Sequence, residues 1–195
     1  MLVGEVKKLV KTRLHSITLA KEDDIVLSFI NLGVSELYRR FNLSIKSETV
    51  AINDNIAFYE LRNNDVLMLL ALYDINGREL KQSDTRNTAM YDYKQVNYRS
   101  FILTKPHNTH VYAIYKASPI LLKDDEDYID LPDAMLDALL TYCSYLGHST
   151  INRDNANEVS MWIKYFEVCC QELENQGYRI PLDVERYSVQ IKGFV

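Results

Sequence analysis

Apolar positions at helical spacing predict four helices in this sequence. They fall in residues 2–15, 18–41, 132–146 and 155–176. In the second stretch, apolar side chains cover more than half of the helix circumference, as expected of a central helix. Thr18 is a suitable N-cap for that helix. The pattern therefore predicts two helices at each end of the chain.

The first and second helices each carry one further signal. Leu2, Val6, Leu9 and Val10 form the predicted apolar stripe of the first helix. The helix also carries four cations, Lys7, Lys8, Lys11 and Arg13. They predict either a solvated face or a surface that contacts an acidic neighbour or nucleic acid. Gly33 lies inside the second helix, where glycine costs about 1 kcal/mol relative to alanine. Close approach of another helix would explain that cost.

The third helix has the clearest start. Pro132 suits a first helical turn, where its missing N–H is no loss, and it disfavours helical angles at Leu131. Asp133 and Asp137 lie near the positive end of the helix dipole. We expect this helix to complete a bundle that the N-terminal helices begin.

Between the helical halves, the period changes to that of strands. Alternation on both sides of residues 53–55 predicts a hairpin. The apolar run from Val66 to Tyr73 predicts a strand, because the hairpin dipeptide Asn76-Gly77 follows it. Residues 83–97 are polar and predict a long loop, and residues 105–110 predict the turn of another hairpin. This region is therefore expected to be antiparallel.

These patterns predict an α+β fold, with a four-helix bundle-like α domain, an inserted antiparallel β domain and an extended C-terminal arm. The predicted parts are residues 1–46 (helices), 47–120 (β region), 121–177 (helices) and 178–195 (arm). The predicted bundle core contains Phe29, Leu37, Phe41, Leu136, Leu139, Leu140, Trp162 and Phe166.

The C-terminal arm has no helical period. Tyr187, Val189 and Ile191 alternate with polar residues, which is a strand pattern without a partner in its own domain. Such a strand can join the sheet edge of a neighbour, although ordinary fraying is the alternative. The predicted binding residues of the arm are Tyr178, Ile180, Tyr187, Val189, Ile191 and Phe194.

Composition narrows the function classes. The net charge is −5, which argues against nucleic-acid binding as the main role. The three cysteines lie in predicted helices without metal-ligand spacing, which favours reduced, buried thiols. No apolar run approaches the ~18 residues of a membrane span. With no signal peptide visible, we expect a protein made in the cytoplasm. The 14 tyrosines suit either a protein–protein surface or a strand-rich insertion.

The sequence contains no motif that predicts catalysis. Phosphate-binding glycine loops, HExxH and GxSxG are all missing. The acidic run Asp124–Asp127 lacks the glycine of a calcium loop. His107 and His110 share a turn, but no third metal ligand is evident. We therefore predict no enzyme activity, no cofactor and no metal, with a metal-dependent enzyme using either group as a remote alternative.

Two short patterns carry a family resemblance. The second helix ends in Glu36-Leu37-Tyr38-Arg39-Arg40-Phe41, and Ile129-Asp130-Leu131-Pro132 opens the helix that contains Ala138-Leu139 and Tyr142. With the β insertion between them and a final helix after them, this layout resembles the head-to-tail adaptor (connector) proteins of tailed bacteriophages, closest to those of short-tailed (podovirus-type) phages. The large insertion departs from many members, which have only a short hairpin there.

The resemblance implies a structural virion protein at the head–tail interface. Such a protein forms a ring with itself, normally a dodecamer, beneath the portal protein. The ring contacts the tail nozzle or tail fibre protein and extends the channel used in DNA ejection, with DNA passing through without specific binding. No membrane is involved. The rival hypothesis is a monomeric cytoplasmic binding or regulatory module without catalytic activity.

Overall fold

The computed structural model describes residues 1–14, 22–53, 55–83, 92–104, 109–151 and 156–178. The helices are α1 (Val3–Arg13), α2 (Asp23–Arg40), α3 (Leu136–Ile151) and α4 (Ala156–Asn175). The strands are β1 (Ile45–Ala51), β2 (Phe58–Glu60), β3 (Val66–Tyr73), β4 (Tyr93–Gln95), β5 (Ser100–Leu103) and β6 (His110–Ala117). The fold is thus mixed α and β, with two small antiparallel sheets.

The chain divides into two compact units. The helical unit comprises Met1–Leu43 with the described residues from Pro119 onward, and the β unit comprises Ser44–Ser118. In the helical unit, α3 packs against α1, α2 and α4. This arrangement does not support the predicted four-helix bundle, because α4 packs mainly on α3. Only Phe166, Cys170 and Leu173 of α4 are fully buried.

Gly33 lies where α2 and α3 approach each other. A Cβ atom at this position would lie 2.6 Å from Cδ1 of Leu139, which is fully buried. The predicted close approach of a second helix is therefore confirmed. Gly147 allows a similar close approach between α3 and the end of α1, since a Cβ at this position would lie 2.8 Å from a methyl group of Leu14.

The apolar stripe of α1 differs from the predicted one. Val3, Val6 and Val10 are buried, whereas Leu2 and Leu9 are exposed. Leu2 is the N-cap and lies outside the helix, and only Leu9 was assigned to the wrong face. An eleven-residue helix contains too few turns for its pattern to fix the rotation. The first residue of α2 is Asp23, with Glu22 as its N-cap, and Thr18 lies outside the described residues.

α3 begins through a 3-10 turn at Asp133–Met135. Ile129 and Leu131 before Pro132 are buried, and the Tyr38 hydroxyl donates to the carbonyl oxygen of Asp130 at 2.9 Å. The lead-in segment is thereby fixed to α2 by both packing and a hydrogen bond.

α4 ends at a glycine, as its position after the last apolar residues suggests. Gly177 has a φ of +90°. The N–H of Tyr178 donates to the carbonyl oxygen of Leu173 at 3.1 Å, and the N–H of Gly177 donates to that of Glu174 at 3.0 Å. These two bonds form a Schellman motif, which satisfies carbonyl groups that the helix end would leave unpaired.

The two sheets have the strand orders β1-β6-β3 and β2-β5-β4. Both predicted hairpins are therefore wrong as pairings, since β1 pairs with β6 and β2 with β5. The N–H of Ile56 donates to the carbonyl oxygen of Asn53 at 2.9 Å, and the Tyr59 hydroxyl accepts from the N–H of Asn53 at 3.1 Å. The predicted strand Val66–Tyr73 and the turn after it are confirmed, with Gly77 at a φ of +75°.

Part of the predicted loop 83–97 is strand, since β4 lies within it. The two sheets of the β unit share one apolar core. Its centre is the ring of Phe101, on which Tyr59 stacks at 5.7 Å and against which Tyr93 packs edge-on at 6.4 Å. Neither sheet could bury its apolar face alone, so each stabilises the other. None of the helices among the described residues is both long and apolar enough to span a bilayer.

Candidate assembly surfaces

The start of α1 rests on the acidic run. The N–H of Val3 donates to the carbonyl oxygen of Asp127 at 3.0 Å, and that of Gly4 donates to Asp125 at 2.9 Å. Lys7 also pairs with the Asp125 carboxylate at 2.5 Å. The run thus supplies acceptors to helix N–H groups that have no partner within the helix.

Asp127 shapes the same loop through its side chain. Its carboxylate accepts from the N–H groups of Lys123 and Asp124 at 2.6 and 3.0 Å, and these bonds lower the pKa of Asp127. Within the described ranges, no three His, Cys, Asp or Glu side chains are grouped so as to hold a metal ion. The role that the geometry gives to residues 124–127 is to hold the N-terminus of α1.

The cations of α1 are largely neutralised inside the helical unit. The ion pairs are Lys7–Asp125, Lys11–Asp23 and Arg13–Asp137. Lys8 is exposed and forms no ion pair with another described residue. The predicted basic face therefore reduces to one unpaired charge, which leaves little on this helix to attract nucleic-acid phosphates.

Arg40 joins the end of α2 to α4. Its guanidinium donates to both carboxylate oxygens of Glu167 at 2.9 and 2.6 Å, lies 3.7 Å from Glu174, and stands over the ring of Phe166. The Glu167 bonds raise the pKa of Arg40, and the same contact lowers the pKa of Glu167. A bidentate arginine fixes both distance and angle, so this contact sets where α4 lies relative to α2.

His148 and Trp162 form a second link between α3 and α4. His148 is buried, and its ring stacks on that of Trp162 at 5.7 Å. Its Nδ1 lies 3.1 Å from a carboxylate oxygen of Glu158, close enough for an ion pair but outside good hydrogen-bond alignment. This contact was not predicted from the sequence.

The thiols are poorly placed for chemistry. Burial raises the pKa of Cys143 and of Cys170 to about 12, and burial near Asp137 also raises the pKa of Cys169. Thiols with a raised pKa hold few reactive thiolates at neutral pH. His107 lies outside the described residues, and the ring nitrogens of His110 lie 3.0 Å from Oγ1 of Thr109 and 3.1 Å from the Tyr112 hydroxyl.

The loop before α3 displays two large aliphatic side chains. Ile120 is 89% exposed and Leu121 is 65% exposed. The loop is nevertheless fixed, because the Asn31 side chain on α2 both donates to and accepts from the backbone of Leu122 at 2.9 Å. The Asn31 amide thus pairs with both backbone groups of Leu122, as a neighbouring strand would in a sheet. Apolar side chains held out on an anchored loop are typical of a protein-binding surface.

α4 carries a second apolar row beside its buried face. Met161, Tyr165 and Val168 follow one another at spacings of four and three residues, and all three are exposed. The row lies beside the apolar stripe of this helix and was not predicted. The signal was present, because three further apolar residues recur at helical spacing one position before or after that stripe.

The predicted site residues divide into two groups. Phe29, Leu37, Phe41, Leu139, Leu140 and Phe166 are buried in the helical unit, while Leu136 and Trp162 are only partly buried. Tyr178 closes the end of α4. The other predicted arm residues, Ile180, Tyr187, Val189, Ile191 and Phe194, lie outside the described residues.

One comparison with known proteins gives a match that spans most of the chain. A family model described as SU10 adaptor protein matches residues 1–185. A search of curated proteins finds no match.

Proposed function

The chain belongs to the SU10 adaptor protein family, and from that premise we propose that it forms a ring that joins the portal protein to the tail nozzle or tail fibres. The family match makes the chain a phage structural adaptor and a component of the virion. In our proposal, identical copies encircle the DNA channel below the portal and lengthen it. Twelve copies and closeness to short-tailed phages remain predictions from the resemblance.

The observation that carries the proposal is the family match over residues 1–185, which includes both units. The exposed side chains of the helical unit also support the proposal. Large apolar side chains are exposed on α4, on the loop before α3 and on the start of α1. Exposed apolar side chains of this kind are typical of a protein that works in contact with other proteins.

Charge supports passage of DNA without specific binding. Neutralising phosphates requires unpaired lysine and arginine side chains, and it makes binding strong and salt-sensitive. Here the net charge is −5, and three α1 cations are engaged by carboxylates. A wall of this kind would let a polyanion slide rather than adhere.

The C-terminal arm completes the proposal. We assign portal or neighbour binding to Tyr178, Ile180, Tyr187, Val189, Ile191 and Phe194. Their alternation with polar residues suits a strand that adds to a sheet edge. The arm follows a well-formed helix end, so its removal should leave the helical unit folded.

The test is size-exclusion chromatography with light scattering, on the chain alone and with the portal ring of its own phage. We expect a complex whose mass corresponds to many copies on one portal. Deletion of residues 179–195 should abolish docking while the helical circular-dichroism signal is kept. A control chain with the same residues in scrambled order should also fail to dock. A monomer that ignores the portal would instead favour the regulatory module.

A further inference from the structure

The exposed row on α4 is a helix face without a partner in its own unit. Met161, Tyr165 and Val168 are 40%, 53% and 51% exposed. Tyr165 is held in place, because its ring packs edge-on against Trp162 at 6.1 Å. The row is thus a fixed apolar strip two helical turns long, about 10 Å from end to end at 1.5 Å per residue.

A negative charge stands at the C-terminal end of this strip. Glu172 is one turn beyond Val168 on the same face. It is exposed and forms no ion pair with any other residue in the described part of the chain. The nearby Glu167 and Glu174 are different, since both contact Arg40.

The outer face of α1 has the matching properties. Leu2, the N-cap residue just before α1, and Leu9, within the helix, are 43% and 42% exposed and lie seven residues apart in the chain. Lys8 stands beside Leu9 as the unpaired cation of this helix. Glu5, on the same face, is engaged with the N–H of Leu2 at 3.3 Å.

We propose that the α4 strip of one copy packs against the outer face of α1 of a second copy of this chain. The two helices run parallel, so that Leu9 meets Val168 and Leu2, just before α1, lies towards Met161. In this register Lys8 and Glu172 stand at the same end of the contact, about 7.5 Å apart along the helix axes at 1.5 Å per residue, within reach of their side chains. Antiparallel packing would place these two charges at opposite ends of the contact. The proposal deepens the proposed function and rests on it, because it names the contact through which copies associate.

The α4 strip and the outer face of α1 are different surfaces of one chain, so the proposed contact joins unlike surfaces of two copies. A contact between unlike surfaces is heterologous, and it repeats from copy to copy until a ring closes. Two short rows fall far below the ~800 Å² per partner of a stable interface. A single contact should therefore be weak, and closure of the ring, or a portal that gathers the copies, should be needed to hold it.

Cross-linking tests the geometry directly. A chain with Leu9→Cys is mixed with a chain carrying Val168→Cys, both with Cys169→Ser to remove the partly exposed native thiol, and the portal ring is added. A short bismaleimide should link the mixture into dimers, whereas either chain alone should give few. The matched control pairs Leu9→Cys with Tyr98→Cys, an equally exposed position on the β unit. Equal linking in control and test would overturn the proposal.

Charge reversal tests the same contact without cysteines. Lys8→Glu or Glu172→Lys alone should lower the amount of assembled ring several-fold, and the two together in one chain should restore it. If assembly proceeds on the portal and neither reversal changes it, this contact is wrong while the proposed function stands. If no variant and no wild-type chain assembles, both are wrong.

Discussion

The clash at Gly33 gives a prediction whose sign depends on one neighbouring methyl group. Replacing Gly33 with alanine would place a Cβ 2.6 Å from Cδ1 of Leu139, closer than carbon atoms pack. Two effects then oppose each other. Alanine favours the helix by about 1 kcal/mol, whereas forcing an extra carbon into a packed core costs about 1–3 kcal/mol. We expect Gly33→Ala to lower the free energy of unfolding by about 1 kcal/mol.

The same substitution should have the opposite sign when Leu139 is shortened. Leu139→Ala removes the clashing methyl group and alone costs about 2–5 kcal/mol, because Leu139 is fully buried. In that background, Gly33→Ala should raise the free energy of unfolding by about 1 kcal/mol, since only the helix preference is left. The coupling between the two sites is then about 2 kcal/mol, well within what contacting residues show.

Urea unfolding followed by tryptophan fluorescence is the assay. The chain has one tryptophan, Trp162, and it lies in the helical unit, so the signal reports on that unit. Phe58→Ala, an exposed change in the β unit, serves as the control and should leave this transition unchanged. If Gly33→Ala stabilised both backgrounds equally, α2 and α3 would not be in contact at this position.

Four further predictions concern other contacts and the buried thiols. Arg40→Lys should lower the unfolding free energy by about 1 kcal/mol, because lysine cannot pair with both Glu167 oxygens; an unchanged urea midpoint would contradict the role of Arg40. Arg40 lowers the pKa of Glu167, so the Arg40–Glu167 ion pair stabilises the fold above the unfolded pKa of Glu167, near 4.5. This contribution is lost as pH falls through the lower folded pKa. Glu167→Gln should therefore reduce the acid-induced loss of stability in a pH series. Asn31→Ala leaves both backbone groups of Leu122 unpaired and should speed hydrogen exchange of the Leu122 amide at least tenfold, with Ser28→Ala as control and equal exchange as the contrary result. At pH 8 the native chain should expose at most one thiol to an aromatic disulfide reagent, because burial raises the pKa of Cys143 and Cys170 to about 12; rapid titration of three would contradict their burial.

Local patterns predicted local structure well. The helical period located α2, α3 and α4, and Gly33 indicated the close approach of another helix. Each of these signals is contained within a few turns of chain. The predicted stripe of α1 was right for Val6 and Val10, which are buried, and wrong for Leu9, which is exposed, and for Leu2, which precedes the helix.

The sequence patterns did not predict which distant segments pair with each other. The alternation that predicts β1 and β2 does not say which strand each will join. β1 pairs with residues 59–71 positions away, and β2 pairs with residues 40–44 positions away. The ion pairs of the α1 cations could not be predicted for the same reason, since Lys7 and Arg13 pair with carboxylates more than a hundred residues away. Among the surfaces, the exposed row on α4 could have been found by counting apolar residues outside the buried stripe, whereas the anchored loop at Ile120 and Leu121 could not, because the Asn31 contact that fixes it joins distant segments.

The most direct test of the account is the mass of the assembly that this chain forms on its own portal ring, measured by light scattering. The account predicts a discrete complex that holds one copy of the chain for each portal subunit, and loss of that complex when residues 179–195 are deleted. A chain that stays monomeric beside intact portal rings, at every concentration tried, would contradict it.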